Sequence, residues 1–215
     1  MAELELSRAG GSTADAVADA IRESILKGDF KRGVALKQDE LAAKAGVSKI
    51  PVREALVKLE AEGLVQFSPN RGAVVVDLSV DEVQEITLMR IALETVLLRE
   101  AIPYLKMPEY SLAAGLLNGI ANEPDAFEWV KLDWAFHEAL YKAANLPKIL
   151  KMARQLYNNM ARYMVEFRLI ATGLNSQRQH RAILRASRRK NVGPASSFLE
   201  NHILDTGKAI IGAMK

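Results

Sequence analysis

The chain has 215 residues, enough for one large domain or two small ones, and its 49% hydrophobic and 26% charged residues are the mix of a folded protein rather than a disordered chain. Twenty-nine Lys and Arg against 26 Asp and Glu leave a formal charge of +3, which permits a nucleic-acid partner without demanding one. The lack of cysteine excludes a disulfide scaffold, a thiol nucleophile, a cysteine-ligated zinc and an iron–sulfur cluster.

The opening MAELELSRAGG is polar and mixed in charge, unlike a signal peptide, and reads as a flexible arm over residues 1–11. No uncharged apolar run reaches the roughly 18 residues of a membrane span, so a cytoplasmic protein with no membrane partner is expected. Val17, Ile21 and Ile25 then recur at four-residue spacing, a helical stripe over 12–27 that Gly28 ends. A short helix over Gln38–Lys44 runs into Gly46. In GVSKIPVREALVKLEAEGLV, Ser48 suits a helix N-cap and Pro51 falls in the first turn, where a missing N–H matters least. Ala55, Leu56 and Leu59 form the apolar face of that helix, and Gly63 stops it. LVQFS and AVVVD are strand-like runs joined by Pro69-Asn70-Arg71-Gly72, a hairpin turn.

From Ser79 the pattern is helical throughout. Ser79 and Glu82 form a capping box before a long helix expected to end near Pro103. Further helices are predicted over 108–120, 124–145, 147–171, 176–190 and 194–213, with Pro108, Pro124, Pro147 and Pro194 near their starts and a break at Thr172-Gly173. The fold class is therefore mainly α. An N-terminal winged helix-turn-helix of three helices plus a β-hairpin, over 12–78, precedes an all-α helical bundle over 79–215.

A winged helix-turn-helix places the N-terminal end of its second motif helix in the major groove of double-stranded DNA. Ala42, Ala45 and Gly46 are small enough for the two helices to cross closely. Ser48, Lys49 and Arg53 sit at the reading end: Lys49 can reach a phosphate or a base edge, and Arg53, one turn on, a guanine. Arg71 beside Gly72 forms the wing tip. Any one of these charges is better explained as a solvated helix face; their order along the chain is what favours DNA. Charge placement agrees, since residues 31–58 hold seven basic side chains against Asp39, Glu40 and Glu54, although residues 1–78 as a whole hold 11 basic and 12 acidic.

The stretch Ile25–Val76 resembles the DNA-binding domain of GntR-family bacterial transcription regulators. The resemblance rests on Gly28, Gly33, Leu36, Leu41-Ala42, the block GVSKIPVREALVKLEAEGLV and Arg71-Gly72, with Arg32 in place of the family's usual proline and Lys49 in place of its usual arginine. It implies DNA contacts by Ser48, Lys49, Arg53, Arg71 and Gly72.

All three histidines lie in the helical part. Asp133 and His137, four residues apart in DWAFHEAL, share one helix face, while His180 and His202 fall on two later helices. One carboxylate and three imidazoles make a plausible divalent-metal site; by spacing alone an ordinary ion pair and surface histidines explain them better. This part resembles the FCD ligand-binding domain of a GntR subfamily through Arg90 and Glu94, Asp133-Trp134-Ala135-Phe136-His137, Ser176 to Ile183 around His180, and His202-Ile203, with Gln179 standing where the family has an acid. The resemblance implies metal ligation by Asp133, His137, His180 and His202. Three nitrogens and an oxygen suit zinc first, with nickel, iron or manganese as alternatives. It implies also a small organic acid effector, for which Arg90, Asn159 and Arg162 are the candidate contacts, and a homodimer acting on a near-palindromic operator as a repressor. The rival readings are an architectural DNA-binding protein without effector and a metal-dependent enzyme. Against an enzyme, the third histidine fills a position that a two-histidine-one-carboxylate oxygenase keeps open, and no residue reads as a general base. The basic run Arg178, Arg181, Arg185, Arg188, Arg189 and Lys190 reads as a solvated helix face rather than a second nucleic-acid surface.

Overall fold

The computed structural model describes residues 12–167 and 173–215, with side chains for 12–167 and 176–215. The arm at 1–11 and Thr172 of the expected break lie outside the described residues. The chain divides between Leu78 and Ser79 into two compact units.

In the first unit, α1 (Thr13–Lys27) starts on a capping box in which Ser12 and Asp15 hold each other's backbone N–H. Its Val17, Ile21 and Ile25 are buried against α3 (Lys49–Ala61), whose Val52, Ala55, Leu56 and Leu59 are buried in the same core. Between them runs α2 (Gln38–Ala45), ending at Gly46. The wing has three strands rather than the two expected. In the hairpin, β2 (Val65–Ser68) pairs with β3 (Gly72–Val75), Val65 opposite Val75 and Ser68 opposite Gly72. The addition is β1 (Ala35–Leu36), which pairs antiparallel with the other edge of β3. Two residues carry no alternation to read; only the β3 edge makes them a strand. The hairpin turn places Asn70 at φ 63° and Gly72 at φ 68°, left-handed conformations that asparagine tolerates and glycine adopts without strain.

The second unit holds α4 (Val80–Ala101), α5 (Met107–Asn122), α6 (Ala126–Tyr141), α7 (Pro147–Glu166), α8 (Gly173–Arg188) and α9 (Val192–Met214). The Ser79–Glu82 capping box opens α4. Helix α6 stops four residues earlier than expected, passing into a 3-10 turn over Lys142–Ala144 that closes on Asn145 at φ 53°. α4 packs on α9 and α7, α5 on α6 and α8, and α8 on α9. Where α9 passes α4 at Gly207, an added Cβ would lie 2.4 Å from Thr87 Oγ1, so only glycine fits.

Of the basic run, Arg178, Arg181, Arg185, Arg188 and Arg189 are exposed, as a solvated face requires. Lys190 is different: its ammonium donates to the carbonyls of Ile102 at 2.6 Å and Leu105 at 2.7 Å, satisfying groups at the C-terminal end of α4. No helix among the described residues is long and apolar enough to cross a membrane.

Candidate metal centre and nucleic-acid interface

The first half of α3 carries the predicted reading residues, all exposed. Ser48 occupies the N-cap position but its hydroxyl makes no capping hydrogen bond. The Lys49 ammonium lies 2.5 Å from the Asp39 carboxylate on α2. Both side chains are largely exposed, so this pair is weak and a phosphate can replace Asp39. Arg53 shares a face with Ile50, Glu54, Val57 and Lys58, which together line one shallow groove. In the wing, Arg71 Nη2 donates to the Gly33 carbonyl at 2.9 Å, so the tip is tied to the loop before β1.

The structure brings Asp133, His137, His180 and His202 together. α6 supplies the first two, one turn apart, and α8 and α9 supply one histidine each. All four are buried, and one donor atom from each lies within 4.8 Å of the others. His180 Nε2 is 3.2 Å from His202 Nε2 and 3.2 Å from Asp133 Oδ1, and His137 Nε2 is 3.9 Å from Asp133 Oδ2. With N and O ligands at about 2.0–2.2 Å from an ion, neighbouring donors lie about 3–3.5 Å apart; the two separations at 3.2 Å already match, and the wider ones, up to 4.8 Å, must contract to close on an ion. Asp133 Oδ1, despite its nearness to His180, and His137 Nε2 are buried without a hydrogen-bond partner among the described residues. Leaving such atoms unsatisfied costs about 1–3 kcal/mol each, and a divalent cation would satisfy both. The donor set therefore fits a metal ion.

The outer contacts orient these donors. Tyr141 donates its hydroxyl hydrogen to Glu94 Oε2 at 2.9 Å, so at 3.2 Å it accepts from His137 Nδ1. The hydrogen-bond network thereby assigns the His137 hydrogen to Nδ1 and leaves Nε2 as a lone pair facing the cluster. Glu94 is held from its other oxygen by Arg90 Nε at 2.7 Å, within a fully buried ion pair. The Arg90 guanidinium lies over the Tyr157 ring, 5.0 Å from its centroid, and the Tyr157 hydroxyl shares its hydrogen between the Val130 carbonyl at 2.8 Å and Asp133 Oδ2 at 3.0 Å. On the opposite side His202 Nδ1 meets Gln179 Oε1 at 3.1 Å, and Gln179 Nε2 donates to Asp205 at 2.7 Å.

Electrostatics follow from burial and from this circuit. Burial pushes the Asp133 carboxyl up, but the imidazoles facing it, His180 foremost, outweigh burial and hold it below the usual carboxylate range. Burial drives His137 down to about 3, with Asp133 opposing and His180 and Arg90 reinforcing the fall. His202 is held well below its ordinary value by burial and by His180 and His137. His137 and His202 are thus kept neutral, the form that binds metal. Tyr141 and Tyr157 are pushed up by burial and by the carboxylates of Glu94 and Asp133 respectively, so both remain hydrogen donors.

Of the candidate effector contacts, Arg90 arrives already paired with Glu94. Asn159 and Arg162 lie three residues apart on α7. The Asn159 side-chain oxygen is buried without a hydrogen-bond partner among the described residues, and the buried Arg162 donates to the Tyr163 hydroxyl at 3.0 Å. Sequence reasoning missed Tyr141, Tyr157 and the bonding role of Gln179. Tyr141 was accessible, because Asp133, His137 and Tyr141 recur every four residues on one helix face. Tyr157 had no such signal.

Residues 13–75 match the profile of the bacterial regulatory proteins of the gntR family, and residues 85–205 that of the FCD domain. An HTH-type transcriptional regulator in an unstable DNA locus of Streptomyces ambofaciens is 36% identical over 124 residues, which cover 57% of this chain and about half, 52%, of that protein. The gluconate operon transcriptional repressor of Bacillus licheniformis is 32% identical over 170 residues, 77% of this chain and 67% of that one. Among solved structures, E. coli McbR/YncC matches with a TM-score of 0.85 over 96% of this chain and 100% of its own, at 21% identity, which shows a shared fold. These families are transcriptional regulators and not enzymes, which sets the metal-dependent enzyme aside. The chain belongs to the GntR family of transcriptional regulators and carries an FCD domain in its C-terminal part.

Proposed function

We propose that this protein is a cytoplasmic, metabolite-responsive repressor that binds a near-palindromic operator as a homodimer. In this reading residues 12–78 read DNA and residues 79–215 bind metal and effector and dimerise. Ser48, Lys49, Arg53, Arg71 and Gly72 contact the duplex. Asp133, His137, His180 and His202 hold the metal, zinc as first choice. The observation that carries the sensor half is the buried four-donor cluster with its orphaned Asp133 and His137 atoms. When bound, the ion supplies a fixed positive anchor for a carboxylate oxygen, which is why a small organic acid is the favoured effector class. Asn159 and Arg162 on α7 are the direct protein contacts proposed for that acid. Arg90, engaged by Glu94, joins them as the charge that holds Glu94 and Tyr141 in place. The repressor reading is supported by the relative from Bacillus licheniformis, whose name describes it as one.

An acid can release the operator only by as much as it prefers the non-binding arrangement, and the operator must weaken the acid by the same factor. The test is to select duplexes from a random library and challenge the complex with a panel of organic acids, before and after metal removal by a chelator. Release by one acid, lost on metal removal and restored by zinc, is expected. Binding that no acid alters would instead mark an architectural DNA-binding protein.

A further inference from the structure

Two exposed side chains on α3 are unexplained by the fold. Ile50, the second residue of the helix, is 70% exposed, and Val57 is 50% exposed on the same face. Both are β-branched, a class that lowers helix propensity, and neither is part of the buried core under α3. Ile50 therefore serves neither the helix nor the packing of the unit.

Its surroundings identify the partner. Ile50 follows Lys49 directly and lies one turn before Arg53, with Glu54 and Lys58 further along the same face; Asp39 pairs with Lys49 and Asp15 with Lys58, both exposed. Two exposed apolar side chains beside Arg53 and Lys49, whose exposed pair with Asp39 is weak, form too small an apolar surface for a protein interface, but they suit a polyanion with isolated apolar features. Duplex DNA meets that description: its major groove is lined by phosphates and polar base edges, and its apolar feature is the C5-methyl group of thymine. We propose that Ile50 is a specificity residue that packs on a thymine methyl in the major groove, beside the base contacted by Arg53. The assignment rests on the proposed role of α3 as reading helix. Val57 lies seven residues on, about 10 Å further from the entering end, and is not assigned a base.

The test uses the full chain and a duplex selected by it from a random library. Thymines are replaced one at a time by uracil, which removes the methyl and keeps the pairing. At one thymine in each half-site the replacement should weaken wild-type binding about three- to ten-fold, the scale of one or two buried methyl groups. Ile50→Ala, which removes an exposed side chain and should melt like wild type, should bind the thymine and uracil duplexes equally. Ile50→Val should keep a reduced difference, and Val57→Ala the full one. No uracil-sensitive thymine in wild type, or the same sensitivity in Ile50→Ala, overturns the assignment. A library with no enriched sequence overturns the reading-helix role beneath it, a distinct result.

Discussion

His202 gives its Nδ1 hydrogen to the side-chain oxygen of Gln179, 3.1 Å away. Asp205 can only accept, so the Gln179 amide nitrogen faces it and the oxygen is left for the imidazole. This neutral clamp points His202 Nε2 at the cluster. Gln179→Ala should lower zinc affinity about 10- to 100-fold in a chelator competition, the usual effect of losing an outer contact to a ligating histidine. Gln179→Glu should recover it. Unchanged affinity in Gln179→Ala would mean that the clamp does not position His202.

Acid should unfold the metal-stripped protein early. His137 is held near 3 and His202 well below its ordinary value, both first by burial, whereas unfolded histidines titrate near about 6.5. Between those limits the unfolded chain binds more protons, so stability falls as pH falls below about 6.5. Melting temperatures of chelator-treated protein from pH 7.5 to 5 should decline, and His137→Gln should decline less steeply. Parallel slopes would contradict this.

At the crossing of α4 and α9, Gly207→Ala forces a methyl into Thr87. We expect a loss of about 1–3 kcal/mol in denaturant unfolding, the usual cost of overpacking. Thr87→Ala in the same chain should return part of it, because the two side chains share one space. An additive double variant would contradict the contact.

For DNA, Arg53→Ala should remove about 1–3 kcal/mol of specific binding and relax the preference at one base pair. Lys49→Ala should weaken all sequences alike and reduce the salt dependence, as the loss of a phosphate contact does. Gel shifts on matched and mismatched duplexes distinguish the two.

Much of the architecture was legible because local chemistry marked it. Ser79 with Glu82 announces a helix start through side chains three residues apart, and the box forms. Strand β1 was not legible, since Ala35 and Leu36 become a strand only by pairing with residues almost forty positions away. The place of Arg71 at the wing tip is visible in the sequence, but its hydrogen bond to Gly33 depends on tertiary approach. In the four-donor cluster, the Asp133–His137 spacing is visible in the sequence, but that α8 and α9 deliver His180 and His202 to the same point is a property of helix packing. Tyr157 is likewise indistinguishable in sequence from any core aromatic; its role appears once α7 lies against α6.

The most direct measurement is the metal content of the full chain purified without a histidine tag, alongside the His137→Ala, His180→Ala double variant. We expect about one divalent ion per chain, zinc foremost, in the wild type, and loss of that ion in the variant while the N-terminal unit still binds DNA. A wild-type chain that holds no divalent ion after equilibration with zinc, or a double variant with full metal content, would contradict the assignment of the buried Asp133, His137, His180 and His202 cluster as a metal site.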